Sequence, residues 1–341
     1  MNDDKVVIVK KDSNQQAWEK TGLLEGYPDK DKAKLAALLE NQRVFNTAIT
    51  LTEECKIDRE TFKRLTIPLV ARFMKEFVFF NLIGYETLTG PTGKFKYKDL
   101  TNNAIKDMEI VAKSKFMKLR WNQDKLNELY GKNEHALSAE VEFLDGFNES
   151  FQLEIQQEIY KDLSNNTGSV SDVDWKNINN LVDAILIKSS SIEKRIGKAA
   201  NWIIVPVEIF EELKSSSDFA LQKGLNNSSK LQKVGRLSNK WDVYVNPIVE
   251  DLEIVLGYKE EMNTGYVYCP FILIGGVINE KLPIGEDYQT PYPIDDPLPT
   301  DHKSIIGRVN EYAMITRYGK KLINKDNYAK IVISGYSFKK N

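Results

Sequence analysis

The sequence predicts an α+β protein of two or three structural units, on three observations. Apolar stripes at helical spacing occupy 59–83 and 137–159, a stretch between them alternates like a hairpin, and the second half is a series of short β-branched and aromatic runs. A chain of 341 residues with 42% hydrophobic content is long enough to bury a real core.

Residues 1–50 are rich in Lys, Asp and Asn, with a short apolar patch after Met1-Asn2-Asp3-Asp4-Lys5 and a modest helical patch around Leu35, Leu38 and Leu39. An extended arm is expected there, and the opening lacks the layout of a secretory signal. From Arg59 to Ile83, Phe62, Leu65, Leu69, Phe73, Phe77 and Phe80 recur every three or four residues, an amphipathic helix kinked near its start by Pro68. After the turn Gly90-Pro91-Thr92-Gly93, Phe95 and Tyr97 alternate with lysines, which is strand periodicity. Met108–Trp121 reads as the returning strand, its apolar phase slipping from Ile110, Ala112 and Phe116 to Met117, Leu119 and Trp121, so a bulge is expected near Phe116. Residues Gly90 to Arg120 thus read as one long hairpin with a polar tip at Thr101-Asn102-Asn103.

A short helix ends at Gly131. Leu137, Val141, Leu144, Phe147, Phe151, Ile155 and Ile159 then form one stripe that stops at Asn165-Asn166-Thr167-Gly168, a helix roughly 40 Å long. Residues 176–197 give another helix, closed by Gly197; Trp202–Val205 is a buried strand, and Pro206 opens a short helix through Leu213. A Ser/Asn-rich loop covers 215–229, and strands follow at Trp241–Asn246, Leu252–Tyr258 and Tyr266–Ile274. Five of the 11 prolines lie between Pro283 and Pro299, an extended connection, before last strands at Tyr312–Tyr318 and Tyr328–Ser334. The longest apolar run, Tyr266–Ile278, is too short for a bilayer and is interrupted by Pro270, Gly275 and Gly276, so no membrane contact is expected.

The chemical inventory is sparse. With 47 basic and 49 acidic residues the formal charge is −2, which provides no whole-molecule attraction to nucleic acid. Cys55 and Cys269 stand alone, excluding a disulfide framework or a cysteine zinc cluster, and suit a reducing, intracellular setting; His135 and His302 are the only histidines. The stretch Glu86–Asp99 has the glycines and lysine of a phosphate loop but follows a helix and leads into a strand, the reverse of what a phosphate loop needs. Asp295, Asp296, Asp301 and His302 could approach a cation, but their proline-rich context reads as a solvated connection. Asp172-Val173-Asp174 begins like a calcium loop, lacks the ligands that must follow, and reads as a helix cap. His135 reads as a surface residue, and no nucleophile elbow is present. No catalytic residue, cofactor or metal is expected.

The charge pattern is more informative. Lys94–Arg120 carries eight basic residues (Lys94, Lys96, Lys98, Lys106, Lys113, Lys115, Lys118, Arg120) against three acidic ones, a net of +5. Glu134–Leu163 carries eight acidic residues (Glu134, Glu140, Glu142, Asp145, Glu149, Glu154, Glu158, Asp162) against Lys161, a net of −7. A two-stranded hairpin is marginal alone in water and needs a surface to lie on, which another copy could supply; equally, both charged elements could be solvated faces of one subunit.

Several blocks, in order, resemble the major head shell protein of T-even-type tailed bacteriophages: Leu88-Thr89-Gly90-Pro91-Thr92-Gly93, Lys118-Leu119-Arg120-Trp121, Ala200-Asn201-Trp202-Ile203-Ile204, Tyr244-Val245-Asn246-Pro247, Gly265-Tyr266-Val267-Tyr268-Cys269-Pro270 and Thr316-Arg317-Tyr318-Gly319. The resemblance covers roughly 60–320 and implies the Hong Kong phage-type capsid fold. In its terms 1–58 is the amino-terminal arm, 59–83 a helix leading to the hairpin called the E-loop at 84–121, 122–214 a peripheral domain with the spine helix at 136–164, 215–303 the axial domain, and 304–341 the return to the peripheral domain. Shell proteins of this family are typically longer, and this chain lacks room for their inserted surface domain. Leu23-Leu24-Glu25 and Leu38-Leu39-Glu40 resemble the sites of the family's maturation protease.

The resemblance implies a non-enzymatic subunit that assembles in the bacterial cytoplasm, as hexamers and pentamers, into an icosahedral or prolate virion head around double-stranded DNA. Portal, scaffold and decoration proteins are implied partners, and any DNA contact is expected to be non-specific, through phosphates. The expected inter-subunit residues are Lys94, Phe95, Lys96, Tyr97, Lys98, Lys113, Lys115 and Phe116, lying over a neighbour near its acidic spine helix (Glu140, Glu142, Asp145, Glu149, Glu154, Glu158), with Arg120, Trp121, Arg317 and Tyr318 in the peripheral domain. Two other classes remain open to the sequence: a nanocompartment shell of the same fold, which would hold an enzyme rather than a genome, and a monomeric metal-dependent enzyme relying on Asp295, Asp296 and Asp301.

Overall fold

The computed structural model describes residues 13–48, 70–99, 104–122, 135–222, 230–249, 251–260, 262–275 and 309–336. Two sheets are joined by one 31-residue helix. The first sheet has four strands in the order β1 (Gly84–Tyr85), β13 (Tyr266–Gly275), β14 (Val309–Leu322), β4 (Lys113–Asn122). The second has seven: β5 (Ser169–Asp174), β15 (Tyr328–Ser334), β10 (Glu253–Gly257), β6 (Trp202–Val205), β9 (Trp241–Val245), β8 (Gln232–Leu237) and β7 (Phe219–Leu221). A separate hairpin pairs β2 (Thr92–Asp99) with β3 (Ala104–Val111), and β11 (Lys259–Glu260) with β12 (Asn263–Thr264) forms a small one.

The helices are α1 (Ser13–Glu19), α2 (Asp29–Ala48), α3 (70–76), α4 (His135–Asn165), α5 (Ile178–Ile196) and α6 (Val207–Leu213). The sequence explains why β6 is buried on both sides. Trp202 and Ile204 point into one apolar cluster with Phe151, Ile155 and Ile159 of α4, while Ile203 and Val205 point into a second with Leu181, Ile185 and Ile192 of α5. The seven-stranded sheet is therefore covered on both faces, and a fully apolar strand fits that position better than an alternating one. α5 starts where Asn177 Oδ1 accepts from the Asn180 N–H at 2.9 Å, and ends at Gly197 in the left-handed region (φ 73°).

Several expectations need correction. The amino-terminal region is not extended over 13–48: α2 is a 20-residue helix whose Leu35, Ala36, Leu38 and Leu39 sit in the main core beside Phe73, Phe77 and Tyr160. Its apolar residues cluster on one face, which the many surrounding lysines and aspartates hide from a composition-based reading. The helix expected to reach Ile83 ends earlier. Phe77 takes an extended conformation (φ −76°, ψ 91°) and a 3₁₀ turn, Val78–Asn81, follows, although the aromatic stripe continues through stacked Phe73 and Phe77 (5.0 Å). Phe62, Leu65, Leu69 and Pro68 lie outside the described residues, as do the expected helix ending at Gly131 and the Asp295, Asp296, Asp301, His302 cluster.

The long hairpin is two structures. The strand expected over Met108–Trp121 breaks at Ala112, not at a bulge near Phe116: β3 pairs with β2, and β4 leaves to pair with β14 along its length, from Lys113↔Tyr318 to Asn122↔Val309. The apolar phase change at Phe116/Met117 falls inside β4, whose pairing with β14 runs on there without a bulge. Asp172 and Asp174 belong to strand β5, parallel to β15, rather than to a helix cap; β7 and β8 were not anticipated. The expected division at 214/215 falls inside the seven-stranded sheet, where β6 and β9 pair in parallel, and β15 returns to that same sheet.

Candidate assembly interface

The hairpin has two unlike faces. Along β2 exposure alternates: Thr92, Lys94, Lys96 and Lys98 face solvent, and Phe95 is buried. Phe95 packs with Leu88, Ile110, Ala112, Val267 and Cys269, and half-buried Tyr97 and Met108 join them, so the surface beneath the hairpin root is this chain's own. The Lys98 N–H donates to Met262 O at 2.9 Å. Close approach depends on glycine at Gly319, where an added Cβ would lie 2.2 Å from Ile110 Cγ2 and 3.0 Å from Val111 O.

On the outer face the lysines meet acids across the ladder. Lys94 stands opposite Glu109 and Lys96 opposite Asp107, while Lys98 stands opposite Ile105; on the inner side, in register with Tyr97, Lys106 pairs with Asp99. Over β2 and β3 four lysines face three carboxylates, so the hairpin proper has a net charge of +1 rather than +5. The other cations of the expected cluster, Lys113, Lys115, Lys118 and Arg120, belong to β4. Ile105 and Val111 are 64% and 54% exposed, apolar positions at the two ends of this outer face.

The complementarity between basic strand and acidic helix is used within the chain. Lys115 Nζ reaches Glu154 Oε1 at 2.9 Å and Glu158 Oε2 at 3.1 Å. Lys320 of β14 meets Glu158 Oε1 at 2.6 Å and Asp162 Oδ2 at 2.7 Å, and the hydroxyls of Tyr318 and Tyr266 donate to Glu158 (2.7 Å) and Asp162 (2.6 Å). Burial alone would raise the Glu158 carboxyl, but the bonds from Lys320, Tyr318 and Lys115 outweigh it and hold the group at about 2. Along the same stretch the helix meets the other sheet: the carboxylate of buried Glu253 in β10 accepts from Tyr160 (2.9 Å) and Ser164 (2.6 Å) and pairs with Lys330 of β15 at 3.3 Å. Glu149 shares Lys230 with Glu76, tying α4 to α3.

Of the residues singled out from sequence, Lys94, Lys96 and Lys98 are outward-facing on the hairpin, Phe95 and Tyr97 face inward, and Lys113 is exposed at the start of β4. Lys115 is a bracing residue to α4. Tyr318 joins that brace, and the Arg317 guanidinium lies 5.7 Å from the Phe271 ring. The side chains of Phe116, Arg120, Trp121, Glu140, Glu142 and Asp145 lie outside the described ones. Sequence reasoning missed Lys320, Lys330, Lys230 and Glu253. The available signal was a run of eight carboxylates needing cations from elsewhere in the chain.

The amino-terminal helices clamp the hairpin root. Asn41 Nδ2 donates to Leu88 O (2.6 Å) and Phe271 O (3.2 Å), Lys34 Nζ to Tyr85 O (2.9 Å), and Thr87 Oγ1 to Lys34 O (2.9 Å). Among the described residues no group of His, Cys, Asp or Glu is placed to hold a metal ion, and no helix is long and apolar enough to cross a membrane.

No curated protein sequence matches the chain. Among solved structures it is similar to the holo-SrpI encapsulin complex from Synechococcus elongatus PCC 7942 (TM-score 0.48, 10% identity, 79% of this chain and 92% of that one). It is similar also to Microbacterium phage Oxtober96 (TM-score 0.44, 10% identity, 75% and 90%) and to the capsid of Cyanophage P-SCSP1u (TM-score 0.42, 9% identity, 75% and 87%). The sequence profile of the family described as Major capsid protein Gp23 matches residues 97–334, more than two thirds of the chain, from the middle of the hairpin to the last strand. The structure is α+β, with a hairpin, a long helix and two sheets, the kinds of element that the resemblance implied. On that match, the chain belongs to the Gp23 major capsid protein family and is a structural, self-assembling component of the phage head.

Proposed function

We propose that copies of this chain close into hexamers and pentamers of an icosahedral or prolate head around double-stranded DNA, assembled in the bacterial cytoplasm, with the outer face of the hairpin laid over the adjacent subunit. The family match carries the shell role. The contact is supported by the hairpin's outer face, which leaves Lys94, Lys96 and Lys98 and the apolar Ile105 and Val111 in solvent after the inner face has been buried. Many modest contacts made together would supply, through shell closure, an avidity that no single pair has. On this reading the four-stranded sheet with α4 is the peripheral unit, and the seven-stranded sheet the axial one. Portal, scaffold and decoration proteins are further partners, and inner-surface lysines would contact DNA phosphates without sequence preference.

The test is the triple variant Lys94→Gln, Lys96→Gln, Lys98→Gln, examined by electron microscopy for shells and by circular dichroism for folding. Glutamine is preferred to glutamate, because a negative charge opposite Glu109 or Asp107 would split the hairpin itself. The expected result is a folded chain that no longer forms complete shells. Normal shells from the triple variant would refute the contact.

A further inference from the structure

We propose that the free edge of strand β5 takes up the apolar segment Val6–Val9 of a second copy of this chain as an added, parallel strand. Among the described residues β5 ends the seven-stranded sheet and pairs with β15 on one side only. The Trp175 N–H, just past β5, donates to Ser334 O in β15 at 2.8 Å, which sets the odd-numbered backbone groups toward β15. Val170 O, by contrast, accepts from Lys188 Nζ at 2.9 Å, off the sheet, so the backbone groups of Val170, Asp172 and Asp174 face outward. Val170 is 53% exposed, and Asp172 and Asp174 are exposed beside it. Apart from the Val170 carbonyl, which Lys188 holds, this edge is open among the described residues, and an open edge beside an exposed valine is a template for another strand. The opposite edge, β7, has three residues, and short edges discourage pairing.

The occupant is identified by pattern, length and charge. Lys5-Val6-Val7-Ile8-Val9-Lys10-Lys11 holds four consecutive β-branched residues between lysines, a segment of high strand propensity that needs a partner, and it lies in residues 1–12, outside the described ones. Lys5–Lys10 matches the six residues of β5, and parallel alignment sets Lys10 beside Asp174, on the face that also carries Asp172. Strand addition of this kind gains affinity from main-chain bonds and register from the alternating side chains. Twelve residues ahead of α1 can span about 40 Å, enough to leave the subunit. α1 and α2 pack together against the four-stranded sheet, whereas β5 closes the other one, which favours a neighbour's edge over the chain's own.

The inference rests on the self-assembly reading, and the experiment separates the two. Shells are assembled from equal amounts of ¹⁴N- and ¹⁵N-labelled full-length chain, treated with a carbodiimide that joins lysine amines directly to carboxylates with loss of water, and digested for mass spectrometry. The expected products join Lys10 to Asp174 or Asp172, with mixed-isotope pairs as abundant as same-isotope pairs. Asp172→Pro, which removes an outward N–H without removing a β15 bond, should abolish them while the unassembled variant keeps its thermal midpoint. Shells that give no such link, links of one isotope only, or links that persist in Asp172→Pro each overturn the proposal. Absence of any shell from the unmodified chain overturns the assembly reading beneath it.

Discussion

Replacing Glu158 by Gln probes the joint between α4 and the four-stranded sheet. The glutamine keeps the size of the side chain and can still accept from Tyr318, but it removes the charge that Lys115 and Lys320 share. Neither lysine is stranded, since Lys115 retains Glu154 and Lys320 retains Asp162. A carboxyl held at about 2 instead of its ordinary 4.5 corresponds to at most about 3 kcal/mol of preferential stabilisation. With 34% of the side chain exposed, solvent screening reduces this to about 1–2 kcal/mol. The depressed folded value fixes the sign: the contribution is complete above the ordinary carboxylate range and is lost as pH falls from about 4.5 toward 2. Thermal unfolding of the unassembled chain, followed at pH 7 and down to pH 3, should show the variant a few degrees less stable at neutrality and converging on the parent chain in acid. A variant with the parent's midpoint at pH 7 and the parent's slope in acid would show that the ion-pair node does not brace the helix.

Gly319→Ala should push Ile110 and Val111 off β14 at a cost of about 1–3 kcal/mol, read as faster tryptic cleavage at Lys94, Lys96 and Lys98 than in the parent chain. Glu253→Ala leaves half-buried Lys330 without its acid and removes the buried acceptor of Tyr160 and Ser164; a loss of about 3 kcal/mol in denaturant unfolding is expected, larger than for Glu158→Gln. Burial pushes the Cys269 thiol up to about 12, so in a Cys55→Ser background an aromatic disulfide reagent at pH 8 should label the folded chain negligibly and the denatured chain fully.

The sequence revealed elements whose signal is local. Helices α4 and α5, strand β6 and helix α6 were legible because an apolar period, a stop signal such as Gly197 or an opening proline lies within the element itself. What was not legible depends on partners distant in the chain. β3 and β4 are contiguous and similar in character, and only pairing with β14, some two hundred residues later, separates them at Ala112. The helical patch read around Leu35, Leu38 and Leu39 is the middle of α2, but its full length was hidden by the charged composition, since four buried apolar residues among lysines and acids become a core face only when Phe73 and Phe77 lie opposite. β5 is a polar strand, Ser-Val-Ser-Asp-Val-Asp, that forms because β15 provides a ladder, not because its residues favour extension. The charge blocks were read correctly as complementary, and their pairing within one subunit was invisible without the register that puts Lys115 and Lys320 on the same side of α4.

That internal pairing constrains how copies of the chain associate. A helix whose Glu154, Glu158 and Asp162 already hold Lys115 and Lys320 has little charge there to offer a neighbour, and a hairpin whose Lys94 and Lys96 face Glu109 and Asp107 presents a nearly neutral surface. In the proposed contact, charge attraction is therefore modest: it rests on an outer face of net +1, which the triple glutamine variant turns to −2, and the apolar Ile105 and Val111 act beside it. Weak individual contacts suit a shell, because strong pairwise binding would trap incomplete or misdirected assemblies before closure, whereas contacts of modest strength can be remade until the ring closes. The ion pairs at Glu158 and Glu253 lie instead inside the subunit, where they hold both sheets to one helix.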